Sequence, residues 1–264
     1  TKKMDLAGII SCAGVFSVFF GFMYGSFFGF EDVLKAIWLK PMNQMMDVPL
    51  VGRLNAVFVI AIGFGMFIIL ICMVFNIINS IRRGDTEKTW FDSNAVAGLV
   101  FYGSIVLTIG LFISGKKLPA AAILVIMFGV PLLLMFLKEP LTNLVEKKSE
   151  ILPEQKGMFF VQSFFELFEV LLSYLSNTLS FLRIGAFAVS HAAMMEVVLM
   201  LAGATNGGSP NWIVVVLGNI FVCAMEGLIV GIQVLRLEYY EIFSRFYAGN
   251  GREFKPFMKA AHKN

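Results

Sequence analysis

Four long stretches of this chain contain no Asp, Glu, Lys or Arg, and they restrict the possible folds more than any other feature. They cover residues 6–30, 54–81, 93–115 and 118–137, which is 25, 28, 23 and 20 residues respectively. A helix of ~20 residues spans the ~30 Å hydrocarbon core of a bilayer. Only 15% of all residues are charged, whereas a soluble domain has ~25%. The chain is therefore predicted to be an integral membrane protein.

Two further segments, residues 158–202 and 212–247, are also rich in apolar residues but contain several charged ones. A turn rich in glycine separates them, which is typical of a loop between antiparallel spans. The predicted fold is thus all-α, with six transmembrane helices. The last two helices would be ~68 and ~54 Å long if continuous, so we expect them to be strongly tilted and antiparallel.

Basic residues are distributed unequally between the two sides of such an arrangement. The side that holds both termini, residues 82–92 and residues 138–157 carries 14 Lys and Arg, and the other side carries 5. Because positive loops stay in the cytoplasm, we predict a multi-pass protein of the cell membrane with both termini cytoplasmic.

Several classes of function are not indicated. The three cysteines lie singly in apolar stretches, which predicts neither disulfides nor a metal site. The sequence has no GxxxxGK[ST] pattern, so nucleotide chemistry and other cofactors are not expected. A net charge of +3 spread among apolar segments gives no reason to expect nucleic acid as a partner.

Polar residues in the fifth segment recur at steps of three and four, which places them on one helical face. The sixth segment has a similar face. Since ionised groups that face lipid cost from ~2.5 kcal/mol upward, these faces should meet each other or a wet cavity. The first comprises Gln162, Glu166, Glu169, Ser173, Ser176, Ser180, Arg183, Phe187 and Ser190, and the second comprises Asn219, Glu226, Gln233, Arg236 and Tyr240.

Arg183 is the most informative of these residues, because it has apolar neighbours and no acid of its own helix within one turn. A structural arginine at that depth would be costly, so its position indicates function. His191 is open to two interpretations, a packing histidine or a proton-pathway residue. Four other charged residues are interpreted as solvated or snorkelling at the cytoplasmic surface, namely Glu166, Glu238, Glu241 and Arg245.

Three local patterns carry structural predictions. Gly21, Gly25 and Gly29 recur every four residues and predict a small-residue ridge for helix packing. Residues 31–53 are predicted to form an outer re-entrant or interfacial loop, and residues 82–94 a cytoplasmic hinge.

The stretch LSNTLSFLRIGAFAVSH at residues 175–191, with MEG at 225–227 and QVLRL at 233–237, resembles subunit a of the V-type and A-type rotary ATPases, called subunit I in bacteria. The resemblance is dense over residues 169–257 and looser over residues 1–157. It implies a non-catalytic stator subunit that works against a rotating proteolipid ring and joins other stator subunits through a cytoplasmic N-terminal domain. That family has eight membrane helices, so the chain is expected to be a fragment with the last six.

The resemblance also implies residue roles. Arg183 matches the essential arginine of the family and Arg236 its second arginine, while Glu169, His191 and Glu226 match ion-pathway residues. Segment direction then predicts two offset half-channels for H⁺ or Na⁺, with Glu169 in the cytoplasmic one and Glu226 with His191 in the outer one. Further channel-lining positions are Ser173, Ser176, Ser180, Asn219 and Gln233.

Residues 1–157 are predicted to form a four-helix scaffold, and residues 158–264 the ion-pathway half with a cytoplasmic tail. Two alternatives stay open. A self-contained secondary transporter or channel would use the same buried charges but predicts inverted repeats and interrupted helices. A purely structural membrane scaffold would have no need of polar stripes.

Overall fold

The computed structural model describes residues 2–30, 37–38, 45–48, 52–116, 119–145, 156–204, 209–247 and 249. Within these ranges the chain is helical apart from one short antiparallel hairpin, which confirms the all-α fold class. The first half contains α1 (Lys2–Tyr24), β1 (Met45–Val48), β2 (Gly52–Asn55), α2 (Ala56–Arg83), α3 (Thr86–Trp90), α4 (Val96–Ile113), α5 (Ala121–Phe136) and α6 (Lys138–Val145). The second half contains α7 (Lys156–Ser180), α8 (Leu182–Leu201), α9 (Trp212–Leu237), a π-helix (Glu238–Phe243) and α10 (Ser244–Phe246).

Five helical runs in the described ranges are long and apolar enough to cross a membrane. The fourth of the six predicted spans, residues 118–137, corresponds to a bent pair of helices. The α5 helix has 16 residues, or ~24 Å, which is short for a bilayer. It passes the same test together with α6, although the two helices meet at 73°. The prediction of six spans therefore holds when α5 and α6 are counted as one broken span.

Helix α2 is the centre of the molecule and contacts α3, α4, α7, α8, the π-helix and α10. Its start is capped by Asn55, whose side chain accepts a hydrogen bond from the Val57 amide at 3.1 Å. Its end is closed by Gly84, whose positive φ of 72° is the left-handed conformation that commonly terminates helices. Around α2 the main apolar core is made of Met66, Ile69, Met73, Ala97, Phe101, Tyr102, Met135, Tyr174, Phe181 and Leu237.

Gly65 allows the tightest approach of α2 to the fifth segment. A Cβ atom on Gly65 would lie 2.2 Å from Cγ of Phe181, a side chain that is fully buried. Only a residue without a side chain leaves room for that ring, because contacts below 3.0 Å require something to shift. The pair Gly65–Phe181 thus fixes where α2 crosses the fifth segment.

The prediction of a small-residue ridge is wrong. The α1 helix ends at Tyr24, and Gly25 and Gly29 follow it with φ of 68° and 87°, so they shape a turn and form no helical ridge with Gly21. Glycine is favoured there because it reaches the left-handed region without steric cost. In the predicted hinge, α2 ends at a turn at Gly84, and the short helix α3 begins at Thr86.

The predicted outer loop lies partly outside the described residues. Its described part includes the strands β1 and β2, which pair antiparallel from Met45 opposite Asn55 to Val48 opposite Gly52.

The fifth segment is also less regular than predicted, since it divides at Phe181 into α7 and α8. The Phe181 amide donates to the Thr178 carbonyl at 3.3 Å, and the Ile184 amide donates to the Phe181 carbonyl at 3.1 Å. These are i→i−3 bonds, which tighten the backbone for one turn. No Gly or Pro lies between Thr178 and Ile184, so nothing in the local sequence announces this interruption two residues before Arg183.

Candidate functional site

Helices α8 and α9 lie side by side and run antiparallel. Contacts join residues whose numbers rise on one helix and fall on the other: Arg183 meets Gln233, His191 meets Glu226, and Val198 meets Gly218. A Cβ atom on Gly218 would lie 2.5 Å from a methyl carbon of Val198, so this glycine lets the two helices approach closely. The predicted antiparallel arrangement of the last two segments is therefore present.

Arg183 is half-buried at the start of α8, directly after the interruption at Phe181. Its Nη1 atom donates to the backbone carbonyl of Gln233 on α9, over a long distance of 3.3 Å. No carboxylate of the described residues forms an ion pair with it. The guanidinium is therefore oriented by a neutral partner and keeps its positive charge uncompensated within this part of the chain.

His191 and Glu226 form a direct polar contact between α8 and α9. Nδ1 of the histidine lies 2.5 Å from Oε2 of the carboxylate, and the two side chains are 48% and 18% exposed. The imidazole donates when Nδ1 carries a proton, so the contact is able to hold a proton between the two groups. Along α8, His191 is ~12 Å from Arg183.

A polar cavity of about 310 Å³ lies on the other side of Arg183, between α7, the start of α4 and the end of the last segment. Among the predicted residues it includes Glu169 and Ser173, and Glu169 is exposed. Its complete lining is Ser93, Asn94, Glu166, Glu169, Val170, Ser173, Tyr174, Asn177, Ser244 and Arg245.

One wall of this cavity is held by an ion pair between Glu166 on α7 and Lys138 at the start of α6. The side chain of Glu166 is partly exposed to water. Its ion pair with Lys138 joins α7, which carries part of the predicted polar face, to α6 of the bent fourth span.

Arg245 is buried, with 6% of its surface exposed, so its interpretation as a solvated surface residue is wrong. Its Nη1 atom donates to Oδ1 of Asn94 at 2.8 Å, and its guanidinium lies 5.6 Å from the ring centroid of Tyr174. The cation–π contact and the hydrogen bond to the Asn94 side chain hold α10 against α7 and the start of α4. Nε and Nη2 have no hydrogen-bond partner in the described part of the chain.

Glu241 is buried as well, with 5% exposure, and the prediction of a solvated position is wrong for it too. Its Oε1 atom accepts a hydrogen bond from the Ser180 hydroxyl at the end of α7. The π-helix of residues Glu238–Phe243 accounts for this position, because each i→i+5 turn holds an extra residue and rotates the side chains that follow Leu237. A regular α-helix, as assumed from sequence, would have aimed Glu241 elsewhere.

The remaining predicted residues are not gathered into one group. Arg236 and Ser176 are exposed and have no polar partner among the described residues. Asn219 donates to the Val215 carbonyl of its own helix at 2.8 Å, and Gln233 meets Arg183 through its backbone only. Sequence analysis also missed cavity residues, of which Asn177 lies one position off the predicted stripe and Arg245 lies four after Glu241.

A model of the V-type ATPase 116 kDa subunit family matches residues 138–259, the part of the chain that contains both long segments. This part of the chain is similar to that family. An A-type ATP synthase subunit I alignment extends the similarity over almost the whole chain. The A-type ATP synthase subunit I of Pyrococcus horikoshii is 25% identical over 265 residues, which is 95% of this chain and 36% of that protein.

Two other relatives match a shorter part of the chain. The A-type ATP synthase subunit I of Saccharolobus solfataricus is 42% identical over 100 residues, which is 34% of this chain and 14% of that protein. The V-type proton ATPase 116 kDa subunit a 3 of Homo sapiens is 32% identical over 129 residues, or 44% of this chain and 15% of that protein. The chain thus spans between 14% and 36% of the length of these three relatives.

Proposed function

We propose that this chain is the membrane part of a rotary ATPase stator subunit and provides two offset half-channels for H⁺ or Na⁺ along a rotating proteolipid ring. The observation that carries the proposal is the partial burial of Arg183 and its lack of an acidic partner among the described residues. It lies half-buried within a long apolar segment, and its hydrogen-bond partner is a neutral carbonyl. A cation maintained at that depth is costly unless it serves a negative charge that arrives from outside the chain.

The proposed mechanism follows from Coulomb's law. A ring carboxylate that passes at ~4 Å from Arg183 would gain ~4 kcal/mol in its ionised form at an effective dielectric of ~20. That attraction favours release of the bound ion as the ring site reaches the stator. Large apolar side chains within about two helical turns of Arg183 and Arg236 along the chain are exposed on the isolated chain, which suits a surface covered by a ring or by lipid. They include Leu175, Leu179, Leu228, Ile232 and Leu235.

Two polar regions on opposite sides of Arg183 support the half-channel arrangement. The cavity with Glu169 and Ser173 would form the cytoplasmic path, and the contact between His191 and Glu226 would belong to the outer path. Both termini would then face the cytoplasm, and Arg183 with Arg236 would prevent ions from passing directly between the paths. Residues 1–157 would act as the scaffold, with α2 as its main contact to the ion-pathway half.

The other stator subunits and the ring are proposed partners, and ATP chemistry would take place on those partners. The names of the relatives describe ATP synthase and proton ATPase subunits, which supports this assignment.

The test uses the complete complex with the full-length subunit, reconstituted in liposomes. Arg183→Ala is expected to abolish ATP-driven H⁺ or Na⁺ uptake while the subunit still co-purifies with the ring. Arg82→Ala, which changes an exposed arginine at the end of α2, is the matched control and should transport normally. Normal uptake in the assembled Arg183→Ala complex would refute the proposal.

One observation favours the alternative of a self-contained transporter, since such proteins use interrupted helices and the fifth segment is interrupted at Phe181. The interruption is a single tight turn, and residues 157–201 still form one continuous run of span length. Ion flux through the subunit alone in liposomes would support the transporter, whereas flux that needs the ring would support the stator.

A further inference from the structure

Glu241 is a buried carboxyl that the half-channel scheme does not use. One of its oxygens is bound by Ser180, and the other, Oε2, is buried without a hydrogen-bond partner in the described residues. A buried carboxyl oxygen with no donor is unfavourable and needs a physical explanation. Glu241 also lies within the π-helix, a rare irregularity that is frequent at functional sites.

Its position relative to Arg183 is informative. Ser180, which holds Glu241, is three residues before Arg183, an axial rise of ~4.5 Å along a helix. In the opposite direction, Asn177 and Ser173 lie one and two turns before Ser180 and line the polar cavity. Polar side chains thus continue from the cavity to Glu241, which is the only fully buried carboxyl among the described residues.

The surroundings of Glu241 offer charge compensation but no salt bridge. Arg245 follows it by four residues, and within the described ranges no ion pair joins the two groups. Arg245 is itself fixed by Asn94 and Tyr174, so it contributes a stationary positive charge. The other titratable groups within electrostatic reach of Arg245 are Tyr174, Tyr102 and Cys72. Glu241 therefore lies within electrostatic reach of a fixed positive charge without being paired to it.

We propose that Glu241 is a buried proton-exchanging group of the cytoplasmic path and passes protons between the polar cavity and the ring carboxylate. This inference rests on the proposed function. In ATP-driven transport, the Glu241 carboxyl gives its proton to the ring carboxylate, which becomes neutral, and Glu241 becomes a carboxylate. A water molecule of the cavity that carries an excess proton then restores the carboxyl. The reverse order applies when ions flow toward the cytoplasm.

The decisive variant is Glu241→Gln, because an amide keeps the volume and the acceptor for Ser180 but carries no exchangeable carboxyl proton. In the complete complex, it is expected to lower ATP-driven proton uptake by ~10²-fold, the contribution typical of a positioned acid–base group. The matched control is Glu238→Gln, which changes a half-buried acid three residues earlier and should leave uptake unchanged. Normal proton uptake in the assembled Glu241→Gln complex would overturn the inference, as would a complex that transports Na⁺ with no proton flux.

A second variant separates the proton-exchanging role from a structural one. Glu241→Asp keeps a carboxyl but shortens the side chain, so it disturbs packing at least as much as Glu241→Gln. If Glu241 exchanges protons, uptake per assembled complex should be clearly higher in the Asp variant than in the Gln variant. Equal uptake in both would show a packing role.

Arg183→Ala, measured in parallel, distinguishes the two proposals. Loss of transport in Arg183→Ala with normal uptake in Glu241→Gln would remove only the role of Glu241. Retained transport in Arg183→Ala would remove the proposed function itself.

Discussion

Nδ1 of His191 lies 2.5 Å from Oε2 of Glu226, and this contact joins α8 to α9 about two helical turns beyond Arg183. The two residues are 35 positions apart in the chain, and the sequence predicted both of them in the outer half-channel. The structure brings them into direct contact.

The first prediction concerns this pair. Glu226→Gln in the complete complex should slow ATP-driven ion uptake by ~10²-fold, because it removes the acid–base group of the outer path. The double variant Glu226→Gln with His191→Ala should be no slower, since residues that act through one contact have non-additive effects. Initial rates of uptake into proteoliposomes give the measurement.

Glu196→Gln is the control for that pair, because Glu196 is an exposed acid five residues after His191 on the same helix. It should transport normally. Strictly additive losses in the double variant would show that the contact has no functional role.

The second prediction concerns the crossing of α2 with the fifth segment. Gly65→Ala places a methyl group against the buried ring of Phe181, and overpacking of this kind costs ~1–3 kcal/mol. We expect a lower thermal midpoint of the detergent-purified protein, followed by intrinsic fluorescence. Gly63→Ala is the matched control, because a Cβ atom there meets nothing within 4 Å. Equal midpoints for the two variants would contradict the packing of Gly65 on Phe181.

A third prediction tests the anchoring of Arg245. Asn94→Ala removes the acceptor that Arg245 reaches at 2.8 Å, and the loss of a hydrogen bond to a charged group costs ~1.5–3 kcal/mol. The variant should lose its fold at a lower temperature than the unaltered protein. Asn79→Ala serves as the control, since Asn79 is half-buried on α2 and has no polar partner among the described residues. If both variants melt alike, Arg245 is not held by Asn94.

The fourth prediction tests orientation. After Cys12 and Cys223 are replaced by Ser, Ser114→Cys should react with a membrane-impermeant maleimide added to intact cells, and Lys88→Cys should react only after lysis. Both positions are exposed. Lys88 lies in α3, before the start of α4, and Ser114 follows the end of α4. The reverse labelling pattern would place the termini outside. Cys72 is buried and serves as an internal check for non-specific reaction.

The family and the helical class were predictable because they depend on local information. Charge-free runs of span length indicate membrane helices wherever they occur, and the motif around Arg183 is contiguous in the chain. Antiparallel packing of α8 on α9 was also predictable, since a short turn leaves two long helices few other arrangements.

The environment of Glu241 and Arg245 was not predictable in the same way. Their spacing near the end of the last segment is equally compatible with a solvated helix end, and the sequence contains no signal for the π-helix that turns Glu241 toward Ser180. The burial of the Phe181 ring depends likewise on Gly65, which is more than a hundred residues earlier in the chain.

The sequence by itself determined that this chain has helices of membrane-span length, resembles the V-type ATPase 116 kDa subunit family over residues 138–259 and carries charges inside its long spans. Those properties follow from the composition and order of neighbouring residues. Only the tertiary structure decided which of the charges are paired, buried or uncompensated, because a charge inside a span takes its partners from helices that are distant in sequence. For that reason Arg183 was apparent from its neighbours, whereas the burial of Glu241 became apparent only after α2, α7 and the π-helix were placed together.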